Sequence, residues 1–272
     1  MRIYLVPTVR NLEKDLLLNK SVVMFDILRA SSTISTALAN GCRKVIPVAE
    51  VAEAFEAARQ LPENTFVLGG ERGAVKLPGF HLGNSPLEYQ TEVVKQKTVI
   101  LTTTNGTQTI CRSAEGSGTV LIGSLLNASA VAHSLLARQQ DVVLVCAGTR
   151  GKFSLEDTLA AGLVIREIAK VVGTEKSFNN SKAASHEEVY LDEVPLLNKD
   201  SLVLEDAAVA ALRLAEYYGN QTLHALYDSL HGQKLAQMGL AADLAYCAQI
   251  DLFDVVPEYN EGEIRLSKAF CP

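Results

Sequence analysis

At 272 residues and 48% hydrophobic content, the chain can bury a large core as one α/β domain or two smaller ones. A net charge of −6, a pI near 5.5 and no basic run argue against nucleic acid as a partner. No apolar stretch approaches bilayer-spanning length, residues 1–7 lack the sections of a secretory signal, and five cysteines are scattered without Cys-x-x-Cys spacing, so a cytoplasmic protein with reduced thiols and no membrane partner is expected.

Short apolar runs alternate with amphipathic stretches along the chain. Residues 3–6 read as a strand, followed by a polar segment over 11–20. Residues 22–25 form a continuous apolar run, the mark of a strand buried on both faces, and the spacing over 34–38 fits a helix close behind it. Between them stand Asp26, Arg29, Ser31, Ser32 and Thr33. Hydroxyl residues opening a helix beside an acid and a base form an anion-binding device, because the first N–H groups of a helix have no intrahelical partner and its dipole favours negative charge. The plainer alternative is that Ser31 or Ser32 caps the helix and Asp26 is a loop residue. A strand over 44–48, a helix over 51–61 and a strand over 65–68 follow. Such alternation predicts an α/β fold, a three-layer sandwich around a largely parallel or mixed sheet.

Residues 69–89 read as a long loop carrying Glu71, Arg72, Lys76, His81, Asn84 and Ser85, with five glycines that let backbone approach a ligand. The opening device then recurs. A strand over 98–101 meets the hydroxyl-rich turn of Thr104, Asn105 and Gly106, and a helix begins by Gln108. After a strand over 120–122 and a helix over 128–138, a strand over 141–146 empties into Gly148, Thr149, Arg150, Gly151 and Lys152. A P-loop is rejected here, since Gly148 stands only three residues before Gly151 and Phe153 occupies the hydroxyl position. No Gly-x-Gly-x-x-Gly follows a strand, so the dinucleotide fingerprint is missing as well. Ser154 reads as an N-cap, with Glu156 and Asp157 in the first helical turn, where acids also complement the dipole. Three polar strand tips are expected to lie together on one edge of the sheet, where open α/β folds bind ligands. Residues 173–200 read as a polar surface excursion within a single domain; helical pieces over 204–250 and a last strand over 253–256 close the chain.

Four segments in order carry a family resemblance: Phe-Asp-Ile-Leu-Arg-Ala-Ser-Ser-Thr at 25–33; Gly-Glu-Arg-Gly-Ala-Val-Lys at 70–76 with Leu-Gly-Asn-Ser-Pro-Leu-Glu-Tyr at 82–89; Thr-Thr-Thr-Asn-Gly-Thr at 102–107; and Cys-Ala-Gly-Thr-Arg-Gly-Lys-Phe-Ser-Leu-Glu-Asp at 146–157. Together with Asp243, Cys247 and Asp251 they make nearly the whole chain resemble the 2-phosphosulfolactate phosphatases. The resemblance implies a magnesium-dependent phosphatase converting 2-phosphosulfolactate to sulfolactate and phosphate in coenzyme M biosynthesis. His81 departs from it, standing where an acid is expected, and 173–200 is longer than the usual connection.

Such a substrate brings phosphate, sulfonate and carboxylate, so Arg29, Arg72 and Lys76 are expected to meet it beside the helix starts at Ser31, Ser32, Asn105 and Ser154, with Asn84, Thr104, Gly106, Gly148 and Thr149 completing the cradle. Asp26, Glu71, Glu156 and Asp157 are the candidate catalytic acids; Asp26 and Asp157 are expected to hold Mg2+, and Glu71 or Glu156 to orient the attacking water. Direct attack is favoured over a phospho-aspartyl intermediate on Asp26, because haloacid-dehalogenase phosphatases carry a second aspartate two residues on and here that residue is Leu28. The competing readings are a phosphatase for another phospho-hydroxyacid or sugar phosphate, and a non-catalytic anion- or nucleotide-binding module. The apolar content also permits a homodimer.

Overall fold

The computed structural model describes residues 1–173 and 202–267, so nearly all of the expected polar excursion lies outside the described residues. The strands are β1 (Arg2–Val6), β2 (Ser21–Phe25), β3 (Lys44–Pro47), β4 (Phe66–Arg72), β5 (Val75–Lys76), β6 (Thr98–Thr102), β7 (Thr119–Gly123), β8 (Val142–Cys146), β9 (Val203–Leu204), β10 (Pro257–Asn260) and β11 (Glu263–Leu266). The helices are α1 (Ala30–Ala39), α2 (Val51–Arg59), α3 (Thr91–Val94), α4 (Gly106–Ser117), α5 (Ala128–Arg138), α6 (Leu155–Val171), α7 (Asp206–Tyr218), α8 (Thr222–Asp228), α9 (Leu230–Gln237) and α10 (Ala241–Cys247).

The strands assemble in the order β5-β4-β6-β3-β11-β10-β7-β2-β8-β1-β9. Pairing is parallel within β4-β6-β3 and within β7-β2-β8-β1-β9, and the antiparallel hairpin of β10 and β11 joins the two blocks. Every residue of β2, β6 and β8 is buried, which is why their sequences are continuous rather than alternating apolar runs. Successive side chains still divide between the faces. Val23 and Phe25 of β2 pack with Leu159 and Leu163 of α6 and Val131 of α5, whereas Val22 and Met24 pack with Ile34 of α1 and Ile110 of α4. Farther along the sheet, Ile100 of β6 joins Ala54 and Ala58 of α2. Helices therefore cover both faces of a mixed, mostly parallel sheet, the three-layer sandwich that the sequence predicts.

Two expectations are corrected. The last strand was expected over 253–256, but strand pairing falls instead on Pro257–Asn260 and Glu263–Leu266, where Glu261 (φ 49°) and Gly262 (φ 86°) supply the two positive-φ positions of a tight hairpin turn. The glycines at 69 and 70 suggest loop in the sequence, but they continue β4 to Arg72 beside β6. There, a Cβ on Gly69 would stand 1.9 Å from the buried Tyr89 hydroxyl, so the strand needs glycine to pass under that ring.

Candidate functional site

Of the three polar tips, those of β2 and β8 are neighbours, but β6 is separated from β2 by β3, β11, β10 and β7. That corrects the simple picture of adjacent strand ends. The tips still meet, because α4 leaves β6 and runs back across β7 and β2. Its first residue, Gly106, comes so close to the β2 tip that a Cβ would lie 2.5 Å from Ala30 Cβ and 2.9 Å from Asp26 Oδ2. The result is a cavity of about 850 Å3. Arg29, Asn105, Ser154 and Ser229, the N-cap residues of α1, α4, α6 and α9, all line it. Four helix starts thus bring their positive ends to one space, an arrangement that favours an anion.

Of the sequence-predicted residues, Asp26, Arg29, Glu71, Asn84, Thr104, Asn105, Thr149 and Glu156 line this cavity. Ser31 and Ser32 are buried beside it with their hydroxyls turned to backbone: Ser31 Oγ accepts from Asp26 N (3.3 Å) and Ser32 Oγ donates to Ile27 O (2.9 Å). Neither is the cap, since α1 already begins at Ala30. Gly106 and Gly148 shape the walls, Gly106 at the contact just described and Gly148 with a φ of 74° where a Cβ would meet Lys152 O at 2.5 Å. Arg72 and Lys76 are not among the lining residues. The Arg72 guanidinium donates to Glu71 O, Ala49 O and Thr102 Oγ1, tying β4 to β6, and Lys76 is exposed on β5.

The acids divide by what their oxygens hold. Glu71 Oε1 accepts from Thr104 N (2.8 Å) and Thr104 Oγ1 (2.9 Å), and its Oε2 accepts from Ala74 N (2.6 Å). It therefore fixes the turn after β6 to the turn after β4. Asp157 Oδ1 accepts from Ile27 N (2.9 Å) and Oδ2 from Gly148 N (3.1 Å), bridging the tips of β2 and β8, while its own N–H is capped by Ser154 Oγ. Among the described residues, Asp26 has no such clamp on its carboxylate, and it faces the cavity with Glu156 and Glu71. Burial, and then the nearby Glu71 and Glu156 charges, push Asp26 up to about 7 against the opposing pull of His231 and Arg29. Burial, with Glu156 and Asp26 beside it, likewise holds Asp157 well above the usual carboxylate range.

Arg29 is buried against Asp243 Oδ2 (2.6 Å) and donates to Ala74 O (3.2 Å), while Ser85 Oγ donates to Asp243 Oδ1 (2.6 Å). The chain of bonds from α1 to α10 locks the guanidinium at the cavity wall. Among the described residues, Asn84 Oδ1 is buried without a hydrogen-bond partner, and its residue lines the cavity. Such an orphan acceptor is costly to leave dry and fits a group that takes its partner from a bound molecule.

Sequence reasoning missed several lining residues. Arg150, Lys152 and Lys234 add positive charge at the mouth, and His231 sets Nδ1 3.4 Å from Glu156 Oε1. Lys152 stands in the glycine-rich turn, where its spacing rules out a P-loop lysine but leaves its charge at the cavity. His231 carried a faint signal: it follows the capping Ser229 in the first turn of α9.

Among the described residues, no three His, Cys, Asp or Glu side chains converge as a metal cage. The acids facing the cavity instead suit an ion that takes one or two carboxylates and leaves its other positions to water and phosphate oxygens, as magnesium does.

The family model of 2-phosphosulpholactate phosphatase matches residues 6–262. The chain belongs to that family. Its similarity extends over nearly the full length of family members: it is 39% identical over 250 residues to a probable 2-phosphosulfolactate phosphatase of Symbiobacterium thermophilum, covering 92% of this chain and 95% of that one. A protein of the same name from Carboxydothermus hydrogenoformans is 41% identical over 248 residues, covering 91% and 90% of the two chains, and one from Clostridium tetani is 36% identical over 265 residues, covering 97% and 100%. No helix among the described residues of this family member is long and apolar enough to cross a membrane.

Proposed function

We propose that the chain is a phosphatase that hydrolyses 2-phosphosulfolactate to sulfolactate and phosphate with magnesium, in the cytoplasm and in coenzyme M biosynthesis. The observation that carries the reading is the meeting of four helix starts and Arg29 with the unclamped, buried Asp26 in one cavity. Buried acids beside an anion oppose its binding unless a cation stands between them, so the juxtaposition suits phosphate handled through a divalent ion rather than simple capture.

The residues divide the work as follows. Asp26 would hold the ion, and Asp157 would keep the Asp26 loop in place through Ile27 and Gly148. Magnesium, when bound, would neutralise charge on the phosphoryl oxygens. Arg29 and the N–H of Gly106 at the start of α4 would receive those oxygens, with Arg29 already oriented by Asp243 and the N–H of Thr107 taken up by Thr103 Oγ1. Glu71 would keep Thr104 and Asn105 at the distance the ester requires. The orphan Asn84 Oδ1 would accept a hydrogen bond from the attacking water or from a hydroxyl of the substrate. Arg150, Lys152 and Lys234 would meet the sulfonate and carboxylate at the mouth.

The test is phosphate release by the purified chain from 2-phosphosulfolactate, 2-phospholactate and a sugar phosphate, with magnesium or with EDTA. Release from the sulfonated ester, lost in EDTA, is expected. Turnover of another ester but not this one overturns the substrate, and no release from any ester overturns the activity. Hydrolysis of a thiophosphate analogue of the ester, made chiral at phosphorus with oxygen isotopes, is expected to invert configuration, as a single displacement by water requires; retention would show a phospho-aspartyl intermediate.

A further inference from the structure

Among the described residues, most acids around the cavity have oxygens committed to hydrogen bonds, Asp228 included, whose Oδ2 accepts from the Tyr218 hydroxyl. Glu71 holds Thr104 and Ala74, Asp157 holds Ile27 and Gly148, and Asp243 holds Arg29 and Ser85. The carboxylates of Asp26 and Glu156 carry no such hydrogen bond among the described residues, and of these two it is Glu156 that is paired with an imidazole nitrogen, while His231 also acts on Asp26 from farther away. The Glu156 side chain is 3% exposed in the first turn of α6, and His231, 19% exposed in the first turn of α9, sets Nδ1 3.4 Å from its Oε1. The two helices contribute these residues from positions 75 apart in sequence, and both residues line the cavity.

Hydrolysis of an ester of an aliphatic alcohol leaves an alkoxide, which is a poor leaving group until it is protonated. The other cationic side chains lining the cavity are arginine and lysine, which keep their protons too firmly to give one up at neutral pH. A histidine whose Nδ1 faces a buried carboxylate is different. The carboxylate steadies the ring by holding Nδ1, leaving Nε2 to point away from it.

We propose that His231 Nε2 donates the proton to the oxygen that leaves phosphorus, and that Glu156 is the positioning residue that holds the ring. This rests on the phosphatase reading. The water oxygen forms a bond to phosphorus as the ester P–O bond breaks, and the electron pair of that bond goes to the departing oxygen, which takes the Nε2 proton. The attacking water loses one proton, which restores the imidazolium, and keeps the other in the product hydrogen phosphate. No oxidant, reductant or further reactant is required.

The deciding experiment compares 2-phosphosulfolactate with its analogue in which sulfur replaces the bridging oxygen. The analogue has the same charge and nearly the same shape, but a thiolate leaves without needing a proton. His231→Gln is expected to lower kcat on the oxygen ester about 100-fold or more while changing kcat on the sulfur ester by less than about threefold. Glu156→Gln is expected to show the same split at smaller size, and it tests the pair even if the histidine variant folds poorly. Equal losses on both esters, or no loss on the oxygen ester, overturn the proton-donor role and leave the phosphatase reading standing. A wild-type chain that releases phosphate from neither ester overturns both.

Discussion

Asp26, Glu71 and Glu156 lie at 8%, 6% and 2% exposure on the inner wall of the cavity, whereas Arg150, Lys152, Phe153 and Lys234 stand open to solvent at its mouth. On the inner wall, Glu71 is held by Thr104 and Ala74, Glu156 is paired with His231, and the ionisation of Asp26 depends on its burial and its charged neighbours. At the mouth, the charges are set by solvent and act on an approaching anion through a field that salt screens within about 8 to 10 Å. The contrast suggests that chemistry is concentrated where geometry is rigid, and capture where it is not. Each region should therefore fail in its own way.

The largest effect is expected from the inner wall. Asp26→Asn should lower kcat by about a thousandfold, because it removes the unclamped carboxylate assigned to the cation, and calorimetry should show magnesium affinity falling with it. Loss of turnover with unchanged magnesium binding would separate Asp26 from the ion. Arg29→Met leaves Asp243 buried without its partner and should cost about 3–5 kcal/mol in urea unfolding, most of it recovered when Asp243→Leu is added. A single variant as stable as wild type would mean that the wall is softer than its bonds suggest.

The pH dependence of stability gives a smaller and distinctive signal. Asp26 is lifted from 3.8 to about 7, so between these values the folded chain binds the proton that the unfolded chain has lost. Stability in the absence of metal should therefore decline as pH rises through this window, and Asp26→Asn should flatten the decline. Melting temperatures in EDTA across pH 4 to 8, spanning that window, measure it. The smallest effect belongs to the mouth. Lys152→Ala with Lys234→Ala should raise KM about three- to tenfold at low salt with kcat nearly unchanged, and the difference should shrink as ionic strength rises.

Much of the fold was readable in the chain, and for a definite reason. Strands β2, β6 and β8 are buried on both faces and announce themselves as unbroken apolar runs; Ser154 announces the start of α6 by capping it. The order of strands in the sheet was not readable. It depends on the hairpin around Glu261 and Gly262, whose strands are half-exposed and charged and whose pairing with β7 and β3 joins residues far apart in sequence. The candidate site shows the same division. Asp26, Arg29, Asn84, Asn105 and Glu156 stood out as polar residues at turns, and all of them line the cavity. Arg72 and Lys76 have the right charge for such a site, but pairing places one along the sheet and the other on an exposed edge strand. His231 was hidden because its partner lies on another helix, and no local periodicity encodes that meeting.

Gly106 gives the arrangement its narrowest tolerance. The two parallel blocks of the sheet are held apart along their length by the hairpin, yet their tips touch where this residue leaves room for a hydrogen and nothing larger. Adding a single methyl there would act as a wedge, prising the Asn105 wall away from the Asp26 wall. Every polar group would remain in the chain, but the ester would have to stretch across a gap too wide for both walls to hold it.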